Sequence, residues 1–241
     1  MSHAVADPVF PSRSPAAPGP FARLAEAWMA GQEAAHRYLL LLRFLLVNLA
    51  GVAFVAVAWM EGWIAFLLAA DRTRLVSAIA LLFLIGLVWC GQRVLVVSRE
   101  LNGLESGAID PAGRVGAYLR DIAGRDAGTR GNLAAILRIK LFARIAPVRH
   151  VANSLVLLGL VGTVLGFIIA LSGVNPELVS DVSAVGPMIS TLIEGMSVAL
   201  HTTLVGALLN VWLMVAYRIL EGGTVRLFTK AVELGERHVR P

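Results

Sequence analysis

Charge is scarce in this chain: Asp, Glu, Lys and Arg make up 15% of its 241 residues, against 57% apolar ones. A soluble domain carries about a quarter charged positions, so an ordinary water-soluble globule is excluded. The single cysteine, Cys90, rules out an intrachain disulfide. The first 37 residues contain no apolar stretch of the kind a cleavable signal peptide needs. No Walker loop, Cys/His metal spacing, nucleophile elbow or Rossmann glycine pattern occurs. The chain is therefore expected not to be an enzyme and to need neither metal nor cofactor. A carboxylate is missing from the central turns of every long apolar run. If the protein passes an ion, the exchanging acid must come from another chain.

Four apolar runs are present, at about 42–62, 75–97, 151–174 and 195–217. About 20 residues at 1.5 Å rise cross a hydrocarbon core of about 30 Å. The expected fold is therefore all-α: a polytopic membrane protein with four transmembrane helices and short cytoplasmic helices. Glu61 and Gly62 interrupt the first run before a further apolar patch from Trp63 to Ala70. Span one thus ends near Met60 or continues tilted to Leu68.

The formal charge of +5 does not point to nucleic acid, because the basic residues cluster between apolar runs. Lys and Arg number four in 1–43, nine in 98–150 and five in 218–241, against two in 71–74 and none in 172–194. By the positive-inside rule both termini and 98–150 are cytoplasmic, and the connections at 71–74 and 175–187 face outward. The expected location is the bacterial inner membrane.

The organisation follows from these runs and their breaks. Five of the ten prolines fall in residues 1–20, read as a disordered Pro-rich N-terminus. Residues 21–97 comprise a short helix (Phe21 to Arg37) and the hairpin of spans one and two. The cytoplasmic segment 98–150 has Gly/Asp/Pro breaks near Gly107 to Gly113 and Gly124 to Gly131. Two short helices fit between and after them, the second, Asn132 to Ala146, ending before Pro147. Spans three and four make a core at 151–220. In the tail 221–241, Arg226, Lys230, Glu233, Arg237 and Arg240 share a face, with Val225, Phe228, Val232 and Val239 off it, the pattern of an amphipathic interfacial helix.

Spans three and four carry residues that lipid does not require of an anchor. Gly159, Gly162, Gly166 and Ala170 put small side chains on one side of span three, with Gly206 in span four. This is a packing seam of the kind that joins helices in bilayers. Thr163 lies 14 residues from Arg149, and Thr203 lies 15 from Arg218. Both therefore sit roughly 21–23 Å above the inner ends of two antiparallel helices. Hydroxyls at one depth, with Thr202 adjacent, can line a path for a proton or sodium ion. Equally, each can bond a carbonyl of its own helix. His201 in the same span is a candidate proton relay or a neutral buried imidazole. Glu194, about 36 Å from Arg218, is read as a residue at the mouth of the pathway that attracts cations, or as a solvated helix end, and Asn210 also lies within span four.

The motifs GLVGTVLGF (Gly159 to Phe167) and ALHTTLVGA (Ala199 to Ala207), in this order and spacing, resemble the MotA/TolQ/ExbB proton channel family over about 151–220. Thr163 matches the threonine of the family's first motif and Thr203 the pore threonine of the last helix. The resemblance implies a homopentamer around a dimer of single-span partners of MotB, TolR or ExbD type, each bringing a membrane aspartate. It implies a stator-type subunit of an ion-driven motor, carrying H+ or Na+. Four spans are similar to the MotA arrangement rather than the three-span one. Where TolQ and ExbB place a glutamate five residues before the pore threonine, this chain has Val198. Arg120, Asp121, Arg125 and Asp126 are placed to engage a rotor or to be a solvated loop. The competing reading is a structural membrane scaffold or small-solute permease subunit, in which the same residues only pack helices.

Overall fold

The computed structural model describes residues 39–70, 73–174 and 182–239. The Pro-rich N-terminus, the helix expected at Phe21 to Arg37, Arg240 and residues 175–181 of the connection between spans three and four lie outside the described residues. Six helices and no strand occur among those described: α1 Leu39–Met60, α2 Trp63–Ala70, α3 Leu75–Ser106, α4 Arg114–Ile122, α5 Ala127–Ser172 and α6 Val182–Val239. The helices α1, α3, α5 and α6 are each long and apolar enough to cross a membrane. The chain is a multi-pass membrane protein.

Helix α1 ends at Met60. Gly62 takes φ 75°, a left-handed conformation that stops the helix cheaply only at glycine. The Glu61 amide donates to Val57 and the Gly62 amide to Trp59, both at 3.0 Å, closing the last turn before α2 starts. Apolar but for Arg43 and Asn48, α1 has no fully buried residue within the chain, as a helix facing lipid or a neighbouring subunit does.

The other spans outrun the bilayer. With 32, 46 and 58 residues, α3, α5 and α6 extend roughly 48, 69 and 87 Å. Their excess lies at the basic end, where α4 joins them in a packed stem. Val97, Val115, Tyr118, Ile122, Leu137, Leu141, Ile145, Leu220, Leu227 and Ala231 form its core, continuous with that of the spans. Three ion pairs brace the stem: Arg114 with Glu100 at 3.4 Å, Arg130 with both oxygens of Glu236 at 3.2 Å, and Lys230 with Glu105.

Two expectations fail here. The second stem helix does not stop at Ala146, for α5 runs unbroken through Pro147. Its buried stripe Leu137, Leu141, Ile145, Val148, Ala152, Leu155 keeps three- and four-residue steps across the proline. A proline inside a helix costs about 3 kcal/mol. Burying each large aliphatic side chain contributes about 1.5–3 kcal/mol, so the stripe outweighs the break. Nor does a separate interfacial helix begin at Gly222. Helix α6 continues to Val239, and the tail packs along the stem instead of lying on a membrane surface. Its buried face is Leu220, Thr224, Leu227, Ala231 and Gly235, while Val225 is exposed. The reason is steric fit: Gly223 sits against the Leu40 side chain of α1, and Gly235 against Ile122 of α4, where larger residues would collide.

The break at Gly124 to Gly131 is also shorter than its glycines suggest. Asp126 caps α5, accepting from the Thr129 amide at 3.1 Å and the Thr129 hydroxyl at 2.6 Å. Arg120 reaches back to the Pro111 carbonyl. Two of the four residues weighed as rotor contacts thus have local bonds in the stem.

Candidate ion pathway

Helices α5 and α6 run antiparallel in direct backbone contact. Every third or fourth residue along the shared face is small: Gly159, Gly162, Gly166 and Ala170 on α5, with Gly173 just past its end, and Gly206, Thr202, Ala199, Gly195 and Thr191 on α6. A methyl group on Gly166 would lie 2.5 Å from the Gly195 carbonyl oxygen and 2.6 Å from the Ala199 nitrogen. On Gly206 it would lie 2.7 Å from the Leu155 oxygen, and on Gly195 it would strike the Ala170 and Gly166 backbones. Bilayers give little apolar drive for helix pairing, so such close approach supplies the dispersion contact that holds the pair. Asn210 adds a cross-helix bond from its side-chain amide to the Ala152 carbonyl at 2.7 Å.

The expected site residues separate onto three sides of this pair. Thr202 points into the seam, 1% exposed, filling the space left by Gly162. Its hydroxyl donates to Val198 and Ala199 of its own helix, at 2.9 and 3.1 Å. Thr203 lies on one flank with its side chain partly open. Its hydroxyl faces the Ala199 carbonyl at 3.1 Å and, across the seam, the Gly159 carbonyl at 3.2 Å. Thr163 is half-exposed and bonds the Leu160 carbonyl. Because Thr202 opposes Gly162 and Thr203 opposes Gly159, the hydroxyls of Thr163 and Thr203 lie within about one turn of each other in depth. In antiparallel helices one step beyond the seam rotates the same way around the pair, so both threonines take the same flank.

His201 does not join them. Two positions from Thr203 is about 200° around the helix, which puts the imidazole on the opposite flank. There Nδ1 meets the Ser197 hydroxyl at 3.2 Å and the ring stacks edge-on against Phe66 of α2, 5.6 Å between centroids. Glu194 is half-buried nearer the N-terminal end of α6. Among the described residues no group of three or more His, Cys, Asp or Glu side chains could hold a metal ion.

Sequence reasoning missed Gly195 and the tie between Asn48 and Trp212. The Trp212 indole donates to the Asn48 side-chain oxygen at 3.3 Å, against Phe83 and over Gly51. The continuation of small residues at three- and four-residue steps from Gly206 outward would have found Gly195. Nothing in the spacing of Asn48 and Trp212 announces their pairing.

These elements define a membrane protein built on a close-packed antiparallel helix pair with hydroxyls on one flank. Residues 137–232 match the sequence model of the MotA/TolQ/ExbB proton channel family. The match takes in the whole seam and extends beyond 151–220 at both ends, into the stem portions of α5 and α6. That family is one of channels, not of enzymes, and its proteins work with a partner in a membrane complex. No curated protein matches the chain, and no solved structure does.

Proposed function

We propose that the protein is the channel subunit of an ion-driven membrane motor, with Thr163 and Thr203 lining the route of a proton or sodium ion. The observation that carries this reading is the position of these hydroxyls. They sit at one depth and on one flank, on a surface otherwise made of Leu160, Val164, Phe167, Leu200 and Leu204, all more than half exposed. A hydroxyl facing hydrocarbon loses its water, so a protein or aqueous lining suits this flank better than lipid. Several copies around a common axis, five by the family resemblance, bring the flanks together. A single-span partner of MotB, TolR or ExbD type then supplies the acid that the spans lack.

In this arrangement Thr202 holds the seam, and His201 works on the far flank, away from the threonine lining. Glu194 stands at the outer mouth. The termini and stem face the cytoplasm of the inner membrane, a placement that the distribution of basic residues supports. The test is co-expression with a neighbouring single-span protein that carries a membrane aspartate. A native mass of several copies of this chain per partner dimer, with ion flux only when both are present, supports the reading. A stable assembly that needs no partner, and flux unaffected by changing the partner's aspartate, refutes it.

A further inference from the structure

At the basic end of the bundle, where α3 leaves the apolar zone, charge and hydrogen bonding fail to balance. Arg93 is half-buried, and its Nε is fully shielded with no hydrogen-bond partner among the described residues. Two turns further along the same face of α3, Glu100 pairs one oxygen with Arg114 of α4 at 3.4 Å, while its other oxygen, Oε2, is buried and unpaired. The Asn102 side-chain oxygen is a third such atom on this stretch of helix. An unpaired buried polar atom costs about 1–3 kcal/mol. The Glu100 and Asn102 oxygens are acceptors that an anion leaves unmet, and Asn102 lies about 180° around α3 from Arg93. The Arg93 Nε–H is therefore the donor that marks a place built for an anion.

Arg144 of α5 also acts on both Glu100 and Arg114, and Asp110 acts on Glu100 from the turn before α4. Burial lowers the pKa of the Arg114 guanidinium more than Glu100 raises it, so its single carboxylate partner leaves it short of compensation. Three arginines, of which Arg144 is exposed, stand against two carboxylates, which leaves one positive charge over. The ligand that balances it is a monoanion with several acceptor oxygens, and guanidinium forks match phosphate in this role.

We infer that Arg93, Arg114 and Arg144 form a binding site for the phosphodiester headgroup of an anionic phospholipid, seated between α3, α4 and α5 at the basic boundary of the membrane. The lipid is favoured over a free anion by depth. Arg93 is 18 residues from the start of α3 at Leu75, about 27 Å along the helix, close to the full thickness of a hydrocarbon core. Val88, Gln92 and Leu95 beside it are open to the outside, so acyl chains can lie along α3 while the phosphate meets the arginines. Basic pockets between helix ends on the cytoplasmic side attract such headgroups.

The full-length protein, extracted in mild detergent and exchanged into nanodiscs of phosphatidylglycerol or of phosphatidylcholine, provides the test. Native mass spectrometry after release is expected to show a phosphatidylglycerol retained on each subunit and no comparable phosphatidylcholine. Arg93→Gln and Arg114→Gln lose it, whereas Arg226→Gln, on the exposed side of α6, keeps it. Should the glutamine variants fold poorly, the lipid comparison on the unaltered protein still decides, and Arg93→Lys, which keeps charge but not the fork, should retain less. Equal retention of both lipids, or undiminished retention in Arg93→Gln and Arg114→Gln, overturns the inference. So does thermal protection by millimolar inorganic phosphate equal to that by phosphatidylglycerol, which would assign the site to a soluble anion. None of these readouts depends on ion flux, so they stand apart from the channel proposal.

Discussion

The seam between α5 and α6 and the attachment of α1 show two ways of holding helices together in one chain. Along the seam, small residues let backbone meet backbone, and Gly166, Gly195 and Gly206 have no room for even a methyl group. Helix α1 has no fully buried residue and is held by Leu40, Leu41 and Phe44 half-buried against the core, by the Asn48 to Trp212 bond, by Gly51 under the indole, and by Leu40 in the notch at Gly223. In the proposed channel, the close-packed pair keeps its threonine flank in register while the more loosely clasped α1 meets lipid or neighbours.

Substitutions can break this contrast. Gly166→Ala drives a methyl into the backbone of α6, and because backbone gives way less than side chains, its cost should exceed the 1–3 kcal/mol typical of overpacking. Loss of monodisperse protein on size-exclusion chromatography, or a large fall in thermal midpoint, is the expected result. Gly222→Ala, in the same helix but with nothing within 4 Å of the new atom, should instead stabilise by up to about 1 kcal/mol through helix propensity. A similar loss in both would mean that helix chemistry, not the seam, sets the response.

On the clasped side, Trp212→Phe removes one inter-helix hydrogen bond, worth about 0.6 kcal/mol in a bilayer. It should loosen α1, seen as faster amide exchange near Asn48, while the seam stays protected. The smallest effect belongs to the stem. Hydrogen bonds from Thr129 hold the Asp126 carboxyl below the usual aspartate range. Its cap is therefore fully in place above the ordinary aspartate pKa and is lost as pH falls through the lowered value. Asp126→Ala should fray α5 near Ala127 at neutral pH and remove that acid-induced fraying, as exchange at 127–131 would report.

The same contrast explains what the sequence allowed to be read. The four spans and their order were legible because long charge-free runs have few other uses, and the turn at Glu61 and Gly62 was visible as a charge beside a glycine. Most of the α5 side of the seam could be read from the step of its glycines. The continuation of α5 through Pro147 and of α6 through Gly222 could not, since local breakers are outvoted by buried stripes visible only once the stem is packed. Depth along a helix can be counted from its ends, which brought Thr163 and Thr203 to one level. The direction each neighbour faces depends on where the partner helix lies, so Thr202, Thr203 and His201 read as one group although they point three ways.

A reconstituted assembly carrying Thr203→Val separates a hydroxyl-lined route from plain helix packing, since valine keeps the shape and removes only the polar group. With partner present and native mass unchanged, ion flux into vesicles should fall to background, and Thr203→Ser should restore it. Undiminished flux through the valine variant would rule out the threonine route and leave the seam as helix packing alone.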